Sequence, residues 1–367
     1  MFTLVTQFEE LLKNIRPPQD RLDAAHNLPV LVRDYLAEHE DFETLAPHSR
    51  LVGSYAQQMC VGDVKDVDFL VRVDGDPDTN EPEAKQLIQD LEAALDDLPD
   101  ALGYNGYADV DIKQARRSVH VHIEKPDFHL DVVPCIAPNG FDEPLYVPDR
   151  GFNKWIKSHP CGYTNLLNTL NGEHREKVKP LGKLLKHFRN HQMRTRRPKS
   201  YWLGALLVHH ITREGGLNTA ESLAELVCDL FDEIYRQYAS LMGRDDGATP
   251  NISDPLLGHN ISWNWGRTHF ETFMRRVSEG REWAAKALNA KDRGAAIVYW
   301  QRIFGAEYFP SDVQEAASQA ATAAWPGQAS VTATGLVTLP QPAKILSVQP
   351  IKPVQSLETR FHGPSEE

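Results

Sequence analysis

A three-part acidic constellation constrains this chain more than any other feature. Gly53-Ser54 makes a small-residue turn after Arg50-Leu51-Val52, Asp66-Val67-Asp68 follows a short interval later, and Asp131 sits inside the run Leu130-Asp131-Val132-Val133-Pro134. Alternate residues of a strand face the same side, so Asp66 and Asp68 project together into one space. Two carboxylates held that way repel each other unless a cation lies between them. Magnesium takes hard oxygen ligands and keeps coordination places for substrate phosphates. Asp131, on a neighbouring strand, can close such a site. Gly53 lets backbone approach a phosphate closely. Ser54 is expected to cap the helical turn that follows and to offer its hydroxyl and amide to terminal phosphates.

The context gives the set its meaning. The chain carries 51 Asp+Glu, so an isolated Asp-x-Asp says little, and Asp109-Val110-Asp111 is such a decoy because no small-residue turn precedes it. Asp66 and Asp68 differ in having both the turn and the third carboxylate.

A length of 367 residues allows one large domain or two ordinary ones. The net charge of -12 rules out binding nucleic acid through the overall field and leaves one local basic stretch, between Lys177 and Lys199. No apolar run is long enough to span a membrane, and the N-terminus lacks a secretory pattern. Cys60, Cys135, Cys161 and Cys228 are widely spaced, as expected of free thiols in a reducing cytoplasm rather than a disulfide or zinc framework.

Hydrophobic periodicity divides the chain. Phe8, Leu11, Leu12 and Ile15 mark a helix that Pro17-Pro18 stops, and a second helix is expected from about Arg21 to Glu38. Strands are expected at Arg50-Leu51-Val52, Val67–Val73, Ser118–Ile123, where His alternates with Val/Ile, and Phe128–Ile136, with a helix over Ala84–Leu98. From about Asn153 the pattern turns helical, with Asn251–Ser262 a loop. Beyond Phe309-Pro310 the composition shifts to Ala, Pro, Gln, Ser and Thr, as in a mobile tail. Lys179, Lys183 and Lys186 fall on one stripe of a helix whose other stripe is Leu181, Leu184, Leu185 and Phe188. Arg194, Arg196 and Arg197 are read as solvated loop residues, Trp263 and Trp265 as core, and His209-His210 as packing or capping.

Together Gly53-Ser54, Asp66-Val67-Asp68 and Asp131-Val132-Val133-Pro134 resemble the signature of polymerase-β-like nucleotidyltransferases. More narrowly, the chain resembles the bacterial cGAS/DncV-like nucleotidyltransferases. Val147-Pro148-Asp149, Lys183-Leu184-Leu185-Lys186, Lys199-Ser200-Tyr201-Trp202, Asp254-Pro255 and Tyr299-Trp300-Gln301-Arg302-Ile303-Phe304-Gly305 extend the likeness over roughly residues 1 to 309. The resemblance implies an α+β fold: a mixed nucleotidyltransferase sheet packed against a helical domain, two-lobed like oligoadenylate synthetase and cyclic GMP-AMP synthase. Residues 1–150 would form the catalytic lobe with bracing N-terminal helices, 151–309 the helical lobe and 310–367 the tail.

It also implies a metal-dependent enzyme that joins nucleoside triphosphates (ATP, GTP or pyrimidine nucleotides) into a cyclic di- or trinucleotide messenger, read by a separate effector in antiphage signalling. Asp66, Asp68 and Asp131 would ligate two Mg2+ ions, with Mn2+ as a substitute. Gly53 and Ser54 would cradle the triphosphate, Lys186 and Lys183 would contact donor phosphates, and Ser200 would touch phosphate or ribose. Nothing resembling the zinc element of the animal synthase is present, so activation by nucleic acid is not indicated. A linear or tailing polymerase, a small-molecule transferase and a silent nucleotide-binding scaffold stay open.

Overall fold

The computed structural model describes residues 1–62, 66–107, 109–213 and 216–311, together with a short strand pair, Ser330–Val331 against Val337–Thr338. The chain divides into two units, Met1–Ser311 and Asp312–Glu367. Apart from that strand pair, the tail expected beyond residue 311 lies outside the described residues.

The first unit is α+β. Its mixed sheet runs β1 (Ser49–Val52), β2 (Asp66–Val73), β5 (Phe128–Ile136), β4 (Val119–Ile123), β3 (Val110–Gln114) in spatial order. Only β2 and β5 are parallel; the other neighbours are antiparallel. A parallel pair needs a long crossover. Here the crossover carries the helices α4 (Ala84–Ala94) and α5 (Leu98–Gly103) and then the strands β3 and β4.

Alternation along the strands decides what each face does. Val67, Phe69 and Val71 of β2, Val119, Val121 and Ile123 of β4, and Leu130 and Val132 of β5 are buried under α2 (Gln19–Ala37), α4 and α5. The opposite face carries Asp66, Asp68, His120, His122, His129 and Asp131. Farther along β2 and β5 that face becomes apolar at Leu70 and Cys135, which pack with Phe141 and Cys161.

The sheet extends past residue 150, where the lobe boundary was expected. β6 (Leu145–Asp149) and β7 (Lys154–Ser158) form a hairpin attached to β5 at Ile136 and Tyr146. Asp149 explains part of this: it is fully buried and accepts from Arg116 Nε at 2.8 Å and Arg117 Nη2 at 3.1 Å, pinning the hairpin to the β3–β4 turn. Burial pushes its carboxyl up, but the two guanidiniums outweigh that and hold it below the usual range.

The helical lobe follows: α6 (Pro160–Glu173), α7 (Val178–Gln192), α8 (Ser200–Thr212), α9 (Leu223–Tyr238), α10 (Arg267–Leu288) and α11 (Arg293–Phe304). α9 opens with a capping box in which Ser222 and Glu225 satisfy each other's backbone amides. Along α7, Lys186, His187 and Arg189 are buried together with the leucines of its apolar stripe. Trp265 is buried against Trp202, whereas Trp263, expected in the core, is 68% exposed.

The two N-terminal helices brace different halves. α2 packs on the sheet, whereas α1 (Val5–Asn14) enters the helical core. Phe8 there meets Trp300, Phe304 and Phe309 edge-on at centroid distances of 4.9, 6.0 and 5.3 Å. Such pairs add stabilisation beyond area burial. We therefore expect Phe8→Ala to destabilise the folded unit by about 3–5 kcal/mol, read as a lowered urea midpoint with little change in the slope of the transition.

Candidate active site

The parallel register sets Asp68 opposite Asp131 and Asp66 opposite His129. All four residues lie on the open face of the sheet, and the three aspartates form the floor of a cleft of about 510 Å³. The wall facing them comes from α7 and α8, through Lys186, Arg189, Asn190, Ser200 and Tyr201.

Gly53 ends β1 with φ 69°, a left-handed conformation that an L side chain rarely adopts, and an added Cβ would lie 2.0 Å from Asp68 Oδ2. Conformation and space both demand glycine, so the backbone can pass directly over the carboxylate. The one-turn helix α3 (Gly53–Ala56) then presents Ser54. Its side chain makes no cap, contrary to expectation, because Val52 occupies the capping position. The Ser54 hydroxyl instead lies 3.3 Å from Cys60 Sγ, at the cleft wall.

Electrostatics mark the floor as short of positive charge. Asp68 is pushed up to about 6, by burial first and then by the charges of Asp131 and Asp66. Burial also raises Asp131, against the opposing pull of His120. His120, opposite Asp131 on β4, contacts the Asp131 Oδ1 through Nδ1. In the wall, Lys186 is 5% exposed and donates to the Met59 carbonyl at 3.2 Å. Burial lowers it to about 8, opposed in part by its attraction to Asp68. Arg189 donates to Ser200 Oγ at 3.1 Å and to the Pro198 carbonyl at 2.7 Å.

The structure thus brings Gly53, Ser54, Asp66, Asp68, Asp131, Lys186 and Ser200 to one cleft. Lys183 is the exception: it lies one turn before Lys186 and does not line the cleft. Arg197, read as solvated, does line it, and its Nε is tied to the Met193 carbonyl. His120, Arg189, Tyr163 and Tyr201 escaped the sequence reading. A His alternating with Val along a strand carries no signal until the strand register is known, and Arg189 looks like an ordinary helix-terminal base.

Among the described residues, the cluster whose metal-ligating atoms all lie within 4.8 Å of one another is His122, Asp127 and His129, not the three aspartates. Mutual repulsion spreads uncompensated carboxylates apart, and Asp131 is drawn to His120. A larger cavity, about 800 Å³, lies on the helical lobe, but its charges are spent on one another, as in Arg213 to Asp229 at 2.8 Å.

Comparisons with known proteins agree with this arrangement. Residues 2–171 match the Second Messenger Oligonucleotide or Dinucleotide Synthetase domain. Over 324 residues the chain is 29% identical to a cyclic AMP-AMP-AMP synthase from an Acinetobacter species, spanning 87% of this chain and 90% of that protein. Escherichia coli CdnC with ATP shares the fold at 14% identity and TM-score 0.62, over 83% of this chain and 98% of that one. Bradyrhizobium diazoefficiens CdnG in complex with GTP does so at 17% and 0.62, over 83% and 96%. Vibrio cholerae DncV in its 3′-deoxy GTP bound form does so at 16% and 0.56, over 84% and 87%. The α+β, polymerase-β-like fold expected from the sequence is therefore the fold of this chain.

The raised Asp68 makes a stability prediction. Its folded value of about 6 lies above the ordinary 3.8. Between those values the native chain keeps a proton that the unfolded chain has released, so stability falls as pH rises through the window. One pKa unit corresponds to about 1.4 kcal/mol, so this group's contribution reaches at most about 3 kcal/mol. Urea denaturation in EDTA at pH 5 and pH 7.5 should show Asp68→Asn gaining on the wild type as pH rises. Magnesium should raise wild-type stability at the higher pH.

Proposed function

We propose that this chain, whose residues 2–171 match the second messenger synthetase domain, is a cGAS/DncV-like nucleotidyltransferase that condenses nucleoside triphosphates into a cyclic oligonucleotide and releases pyrophosphate. The observation that carries the reading is the juxtaposition of Asp66, Asp68 and Asp131 beneath a glycine turn whose backbone has no room for a side chain. The likeness to a cyclic AMP-AMP-AMP synthase over most of both chains favours ATP as substrate and a ring of three. The product would serve as a second messenger for a separate effector in antiphage defence.

The donor set fits a hard divalent cation. It consists of carboxylate oxygens, and Asp68 is raised by burial first and then by the neighbouring charges of Asp131 and Asp66, which a bound cation would offset. Asp66, Asp68 and Asp131 would hold magnesium, which when bound neutralises triphosphate charge and acidifies a ribose hydroxyl.

The chain's own groups do the rest. The backbone after Gly53 and the Ser54 amide and hydroxyl hold the donor's terminal phosphates, and Lys186 supplies a cation from the opposite wall. Ser200, oriented by Arg189, meets phosphate or ribose. Asp131 accepts the proton of the attacking ribose hydroxyl on Oδ2, the oxygen that His120 leaves available. The hydroxyl oxygen bonds to the α-phosphorus, the bond from that phosphorus to the bridging oxygen breaks, and pyrophosphate departs with the electron pair. Closing a ring requires the linear intermediate to turn and present its own triphosphate to the same groups.

The test is incubation with all four labelled nucleoside triphosphates and Mg2+ or Mn2+, then phosphatase treatment and mass spectrometry. A phosphatase-resistant product made from ATP, absent with Asp66→Ala/Asp68→Ala, is expected. A phosphatase-sensitive ladder would replace this reading with a linear polymerase, and no pyrophosphate release with any nucleotide would sink it. Lys186→Ala should lower kcat/KM by about 10- to 100-fold, the worth of one hydrogen bond to a charged group. Steady-state kinetics of pyrophosphate release would measure this.

A further inference from the structure

The alternating histidines of β4 are not absorbed by the chemistry above. His120 touches Asp131, but His122 points to the far end of the β4–β5 hairpin. There it pairs in register with His129, and the two rings stack at a centroid distance of 4.2 Å and an interplanar angle of 15°. Asp127, in the turn, completes the group. Its Oδ1 lies 3.2 Å from His122 Nε2 and 3.9 Å from His129 Nε2. All three side chains are half-buried, with a path to solvent.

We infer that His122, Asp127 and His129 form a binding site for a borderline transition-metal cation of the Zn2+ class, separate from the carboxylate centre on the same face of the sheet. The argument is geometric and chemical. Ligand atoms at about 2.0–2.1 Å from a tetrahedral zinc stand about 3.3 Å apart. Asp127 Oδ1 stands 3.2 and 3.9 Å from the two imidazole nitrogens and all three ligand atoms lie within 4.8 Å of one another, so rotation of the side chains, without backbone movement, would close the site. Imidazole nitrogens favour zinc, cobalt, nickel and copper, whereas magnesium prefers oxygen. The two cation classes would therefore sort between two neighbouring sites. Arg21 Nη2, 3.7 Å from Asp127 Oδ2, holds the carboxylate by its other oxygen and aims Oδ1 at the imidazoles, as outer partners of metal ligands commonly do. Three protein ligands leave the fourth position to water or a phosphate oxygen. Asp66, paired in register with His129, adds negative charge at the rim.

The test is calorimetric titration of the full chain with Zn2+ in excess Mg2+, with Co2+ as an optical probe. One equivalent of Zn2+ should bind. His122→Gln and His129→Gln should each weaken it by about 10- to 100-fold and abolish the visible Co2+ absorption. Asp66→Asn/Asp68→Asn should keep both signals. Melting in EDTA, where the Gln variants should match the wild type, separates ligand loss from unfolding. If either variant fails to fold, Asp127→Asn, altered at a half-buried turn position, takes its place. Absence of Zn2+ binding, binding indifferent to the histidine and Asp127 substitutions, or binding lost only with the Asp66 and Asp68 substitutions would each overturn the assignment.

Discussion

Mutual repulsion among three carboxylates on two parallel strands organises this molecule. Register fixes Asp68 beside Asp131, and burial removes the water that would otherwise screen them. Every neighbouring element answers that charge. Backbone, not a side chain, passes over Asp68 at Gly53. A buried lysine, unusual in a protein interior, looks back from α7. A histidine reaches across from β4 to Asp131. The cleft exists because the sheet's far face is sealed with Val, Ile, Leu and Phe. The near face is thereby free to remain polar.

The strands bearing the acidic residues were legible because their cores are β-branched and their bounds sharp. Phe128–Ile136 was read at its true limits, and Val67–Val73 missed only the leading Asp66. The hairpin Leu145–Asp149 and Lys154–Ser158 was not, because Pro148 and alternating Lys mask a strand whose stability comes from Asp149 and its two arginines. α7 was legible as a helix but not as a buried one. A stripe of lysines is usually solvated, and only the cleft explains why Lys186 is enclosed. The Ser54 cap failed for a local reason: the positive φ of Gly53 moves the start of the turn back by one residue. Contacts that depend on register or on tertiary approach, such as His120 with Asp131 or Arg189 with Ser200, have no one-dimensional signature.

Two kinds of polar chemistry therefore share one face of one sheet. Near the glycine turn the clustered side chains offer only oxygen; at the hairpin tip they offer mostly nitrogen. The row between them, His129 and His120 against Asp66 and Asp131, couples the two electrostatically without merging them.

The embrace of Phe8 by Trp300, Phe304 and Phe309 has a consequence for how the molecule comes into being. The helical core cannot close until residues about 300 positions apart have both left the ribosome. α7 hangs from that core, so Lys186 and Arg189 cannot take their places over the carboxylates any earlier. A ribosome-bound chain that has completed its sheet would display the acidic floor without its basic wall. The complete cleft is thus among the last features to appear during synthesis.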